Sequence, residues 1–131
     1  MIYQSSLLNF EIYEQAYKSE MLGLDQLCGI GYRKSIEFLI KDFIIIQNLE
    51  AKDDVAKKQL SPCIKEFIQS KHIKSLAIAC AWIGNDETHY TRKHEDYSLG
   101  HLKAFVGALV TYIDSELKFA EANKLLCKFK K

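Results

Sequence analysis

Apolar residues recur at spacings of three and four along most of this chain, and only one proline, Pro62, stands in their way. That period lays a stripe down one side of an α-helix, whereas a half-buried strand needs strict alternation. No convincing strand set is present, so the pattern predicts an all-α protein, an antiparallel helical bundle of four to five helices. The length of 131 residues suits a single domain, 1–131, with one real core and no room for a second.

A first helix is expected from about Asn9, an acceptable N-cap, to about Met21, with Ile12, Tyr13, Ala16 and Tyr17 facing inward. A second covers roughly Leu24 to Leu49. Between Ile36 and Ile46 only Glu37, Lys41 and Asp42 interrupt its apolar residues, which puts this helix in the middle of the bundle. The charged segment Glu50 to Leu60 can form only a solvated helix or a mobile loop, a connector without chemistry, with Asp53, Asp54, Lys57 and Lys58 facing out. Ser61-Pro62 opens a short helix to Gln69, proline being favoured at a first helical position. The next helix starts near Ser70 or Lys71 and carries Ile73, Leu76, Ala77, Cys80, Ala81 and Ile83 until Gly84 ends it. Thr91 is the expected N-cap of the last helix, with Glu95 and Asp96 in its first turn. Leu102, Phe105, Val106, Leu109 and Ile113 form its inner face, and Gly100, Ala104, Gly107 and Ala108 leave room for a close neighbour. The basic end, Lys124 to Lys131, is expected to fray.

Composition excludes more than it selects. Apolar residues at 48% and charged residues at 27% describe an ordinary folded protein rather than a disordered one. A net charge of +1 gives no overall field for nucleic acid or an anionic membrane, so such binding needs a local patch. Lys57, Lys58, Lys65, Lys71 and Lys74 are locally basic, but Asp53, Asp54 and Glu66 are interspersed and no aromatic ladder accompanies them, which favours a solvated face. Met1 to Leu8 lacks the features of a secretion signal and no run approaches a membrane span; a cytoplasmic location without a membrane partner is expected. Cys28, Cys63, Cys80 and Cys127 include no Cys-x-x-Cys pair and read as reduced thiols rather than nucleophiles or a disulfide framework.

Two stretches carry the chemistry. Tyr32-Arg33-Lys34-Ser35-Ile36-Glu37 places Arg33 and Glu37 one turn apart in an apolar helix, so at least one of those charges should be buried or nearly so. Ile83-Gly84-Asn85-Asp86-Glu87-Thr88-His89 offers Asn85, Asp86 and His89 as polar partners. Arg33, Glu37, Asn85 and His89 are therefore the candidate ligand-binding residues: arginine supplies a fork of donors for phosphate or carboxylate, asparagine reads an amide or base edge, and histidine donates or accepts near neutral pH. The same group can equally serve the fold alone, with Arg33 pairing to Glu37 while Asn85 and His89 tie down a helix end.

An Arg-x-x-x-Glu on a long apolar helix, a charged connector, a short helix, an aliphatic helix closing on Gly-Asn-x-x-x-His and a long final helix together resemble the DUF4145 family, over roughly Glu14 to Leu117. The matching residues are Arg33, Glu37, Gly84, Asn85 and His89. The resemblance implies a HEPN-like helical domain, a module that commonly pairs as a homodimer and occurs in microbial and phage defence. It implies a nucleotide-like, nucleic acid or protein partner, with Arg33 holding an anionic group and Glu37 orienting it.

The ribonucleases among HEPN domains carry an arginine and a histidine a few residues apart. Here Arg92 is followed by His94 after one residue and by His101 after eight. No catalytic residue is assigned on that basis, and a binding module without enzymatic activity is the leading expectation. A ribonuclease using a non-standard pair drawn from Arg92, Arg33, His89 and His94 is the first alternative, and a purely structural dimeric adaptor the second. The His and carboxylate groups from Asp86 to Asp96, with His94 and His101 on one face of the last helix, match no metal-ligand spacing; no metal and no cofactor are assigned.

Overall fold

The computed structural model describes residues 7–129, with side chains from residue 10 onward. Among the described residues the secondary structure is 84% helix with no strand, in six α-helices rather than four or five. They are α1 (Leu7–Met21), α2 (Asp25–Gln47), α3 (Lys52–Lys57), α4 (Leu60–Phe67), α5 (Lys71–Thr88) and α6 (Leu99–Phe129), with a 3-10 turn Leu49–Ala51 before α3. The additional helix, α3, lies inside the expected connector, where the apolar side of one turn finds a partner: Val55 is fully buried and its carbonyl accepts from the Cys63 thiol.

Helix α1 already runs at Leu7, so Asn9 does not start it. It ends where Gly23 adopts φ 76°, a left-handed conformation that glycine takes without a Cβ penalty. The Gly23 amide then donates to the Glu20 carbonyl and the Leu24 amide to that of Ser19, the Schellman closure. The chain turns back at once, and α1 packs along α2. Ala16 is buried there, with Ile12 and Tyr13 half-buried. Tyr17 is not inward; it stays exposed, its ring beneath the Lys103 ammonium. A polar knot joins three helices beside it: the Tyr32 hydroxyl donates to Glu20 Oε1 at 2.7 Å, and Lys103 of α6 reaches the same oxygen at 3.0 Å.

Helix α2 touches every other helix, as its apolar run predicts. Tyr32, Ile36, Leu39, Ile40, Phe43 and Ile44 are buried in a cluster that α4, α5 and α6 complete with Ile64, Ile73, Ala77, Cys80, Leu102, Leu109 and Ile113. The expected inner faces of α5 and α6 are thus buried, with Leu76 and Phe105 only half so. Cys28, Cys63 and Cys80 are free and buried, and Cys127 is free and exposed.

Three helix ends differ from expectation. Helix α4 starts at Leu60, placing Ser61 and Pro62 inside the first turn, where a missing amide is tolerated because no carbonyl waits for it. Helix α5 does start after Ser70, whose hydroxyl accepts from the Ile73 amide, but Gly84 does not end it; the helix continues to Thr88. Helix α6 begins only at Leu99, so Thr91, Glu95 and Asp96 belong to the loop before it, and so does His94. Ser98 starts α6 instead: its amide donates to His101 Nδ1 at 3.1 Å, with histidine in the place a glutamate takes in a capping box. At the other end the helix runs to Phe129; the expected frayed end, Lys124 to Lys131, includes residues 130 and 131, outside the described residues. No described helix is long and apolar enough to cross a membrane.

Candidate functional site

Helices α2 and α5 cross antiparallel, and Arg33 lies against Gly84 at the crossing. A Cβ on residue 84 would stand 3.0 Å from Arg33 Cδ, so the glycine is there for close approach, not for termination. With the helix unbroken, Asn85 keeps its side chain beside Arg33. Arg33 Nε donates to Asn85 Oδ1 at 3.0 Å and Nη1 to Glu37 Oε1 at 2.7 Å. Arg33 and Asn85, 52 positions apart in sequence, therefore meet, with Glu37 joined to them through Arg33 and the His89 imidazole bonded to none of the three.

Glu37 is shared. Its second oxygen, Oε2, lies 3.1 Å from Lys41 Nζ, which also donates to the Lys58 carbonyl at 2.6 Å. Arg33, Glu37 and Lys41 thus form a ladder at every fourth residue of α2, and its last rung holds the corner between α3 and α4. Burial alone would raise the Glu37 carboxyl, but hydrogen bonds from Arg33 and Lys41, with their charges, hold it below the usual carboxylate range. Neither motif charge is fully buried: the side chains of Arg33 and Glu37 are 22% and 36% exposed, because they border open space.

That space is a cavity of about 520 Å³, within the ~300 to 1,000 Å³ typical of small-molecule sites. Arg33, Glu37, Lys41, Ala81 and Asn85 form one wall, and Lys57, Lys58, Gln59, Leu60 and Ser61 the other, with His89 also lining it. Four cationic residues, Arg33, Lys41, Lys57 and Lys58, line it with a single carboxylate, that of Glu37. Lys58 is braced from behind by Glu66 and Asp54, whose carboxylates hold its ammonium above the ordinary value. His89 sits at the C-cap of α5, exposed, and its imidazole makes no hydrogen bond to the described residues. The second wall is the connector to which the sequence analysis assigned no chemistry.

The remaining histidines and charges are engaged elsewhere. Asp86 is buried and accepts from the amides of Lys93 (3.1 Å) and His94 (2.9 Å) and pairs with His94 Nδ1 (3.0 Å). Burial would raise this carboxyl, yet those bonds bring it below the ordinary value. The His94 ring also stacks on Trp82, with centroids 5.3 Å apart. Arg92 pairs with Glu87. His94 and His101 do not share a helix face, and among the described residues no group of three or more His, Cys, Asp or Glu could hold a metal ion.

Searches against protein-family models, curated proteins and solved structures found no match to this chain.

Proposed function

We propose that this chain is a helical binding module, HEPN-like and of the DUF4145 kind, that holds an anionic ligand in the cavity between α2, α5 and the α3–α4 corner. One observation carries the reading: Arg33 is fixed at Nε by Asn85 and at Nη1 by Glu37, so the rest of its fork borders a cavity that Lys41, Lys57 and Lys58 also line. A guanidinium held on two sides loses little further freedom on binding, which is what makes such a group an effective anion receptor. Ser61 and His89 also line the cavity, but among the described residues neither hydrogen-bonds to the other or to Glu37, whose two oxygens pair with Arg33 and Lys41, so the role proposed is binding rather than turnover.

The module is proposed to act as a homodimer in a microbial or phage defence system, within the cytoplasm. Support for pairing comes from α6, where Gly100, Ala104 and Gly107 are exposed and a Cβ on Gly107 would meet nothing within 4 Å. Further along, Phe119, Leu125, Leu126 and Phe129 are exposed too. The central test is equilibrium dialysis of the whole chain against inorganic phosphate, sulfate and succinate, beside Arg33→Gln. Saturable uptake of at least one anion, lost in the variant while its helical circular dichroism persists, is expected. No uptake of any of the three at millimolar concentration overturns the reading.

A further inference from the structure

The hydrogen-bonding inventory of the cavity is lopsided. Its one carboxylate is engaged on both oxygens, by Arg33 and by Lys41, while Asn85 Oδ1 takes Arg33 Nε and the Lys58 carbonyl takes Lys41, which leaves the neutral groups of Gln59, Ser61 and His89 as the other side-chain acceptors. No uncommitted negative charge remains, and donors predominate. Arg33 keeps its second terminal nitrogen, and Asn85, with its oxygen turned to Arg33, keeps an amide NH₂. Lys57 and Ser61, both with donor groups, line the facing wall. The amides of Leu60 and Ser61 add to them, since they open α4, whose N-cap Gln59 makes no side-chain cap. A ligand that meets both walls accepts more bonds than it returns and carries negative charge, a demand that a carboxylate with two oxygens meets poorly. A phosphate monoester, with a charge of about −1.5 to −2 near neutral pH and three terminal acceptor oxygens, does it well.

The lining also says what is not read. Among the described residues it contains no Phe, Tyr or Trp; its apolar part is Ala56, Leu60 and Ala81, and its one ring is the exposed imidazole of His89. Proteins that grip nucleobases stack them on aromatic faces, at about 1 to 3 kcal/mol per base. This cavity offers no such platform. Resting on the anion-binding reading above, we infer that the site takes a small phosphate monoester and reads its phosphate while ignoring any base attached to it.

The experiment is isothermal titration of the full chain at pH 7.5 with ribose 5-phosphate, the four ribonucleoside 5′-monophosphates, adenosine, dimethyl phosphate, succinate and a short single-stranded RNA. Ribose 5-phosphate and the four nucleotides are expected to bind within about threefold of one another. Adenosine, dimethyl phosphate and succinate should be at least tenfold weaker. Lys57→Ala, an exposed position whose loss leaves the core intact, should weaken all five monoesters about equally, by several-fold. One nucleotide binding more than tenfold tighter than ribose 5-phosphate would overturn base-blindness while leaving anion binding in place. Succinate binding as tightly as the monoesters would overturn the phosphate assignment alone, and so would a clear preference for the RNA. Absence of binding by every anion in the set removes both this inference and the function it rests on.

Discussion

Arg33 lies across Gly84 from the neighbouring helix, with only 3.0 Å between its Cδ and the place where a Cβ would stand. The arginine cannot slide away freely, because Asn85 holds Nε and Glu37 holds Nη1. Gly84→Ala therefore sets two effects against each other. Alanine in a helix interior gains about 0.5 to 1 kcal/mol over glycine, and crowding the arginine costs a similar amount. Stability in urea is expected to change by less than about 1 kcal/mol, while anion uptake falls at least tenfold because the guanidinium has moved. Unchanged uptake would mean that the crossing does not position Arg33.

The loop from His89 to Ser98 hangs on Asp86. That carboxylate accepts two backbone amides and the His94 ring, so Asp86→Ala leaves two donors without partners and should cost about 2 to 3 kcal/mol. Trp82 is the only tryptophan and stacks on His94, so its emission reports the loop directly. A red shift in the variant at retained helicity is expected; an unchanged spectrum would detach the loop from Asp86. The pH dependence has a definite sign. Folding lowers this carboxyl below its unfolded value near ~4, so its contribution is present above about pH 4 and is lost as acid takes the pH through the folded value. Acid should release the loop before the helices melt.

Much of this was legible in the sequence because helix packing has a simple period. The buried positions of α5 and α6 follow from spacings of three and four, and the centrality of α2 follows from its nearly unbroken apolar run. The errors lie where local and tertiary logic compete. Gly84 followed by Asn85 reads locally as a helix stop, but in the fold the glycine makes space for Arg33 and the helix runs on. Thr91, Glu95 and Asp96 read as a helix start, yet Asp86, eight residues before His94, captures the amides that would have begun it. Arg33, Glu37 and Asn85 were found because their chemistry is conspicuous, whereas Lys57 to Ser61 were not, because nothing local distinguishes a cavity wall from a solvated turn.

Asp42 offers a test independent of the cavity. It lies on α2 among Phe38, Leu39, Ile45 and Ile46 in sequence, and among the described residues it has neither an ion pair nor a hydrogen bond. Burial alone lifts its carboxyl to about 6. The unfolded group titrates near ~4, so between those values the folded chain holds the extra proton, and stability declines as pH rises through that window. Because the group is partly exposed, the loss is discounted to about 1 kcal/mol by pH 7.5. Asp42→Asn keeps the shape and cannot ionise. Its stability relative to wild type should rise by that amount between pH 4.5 and 7.5, read from urea midpoints at each pH. Other acids, including Glu20, Glu37 and Asp86, titrate in both proteins and cancel in the difference. Parallel curves for the two proteins would show that Asp42 is solvated in the folded state and costs it nothing.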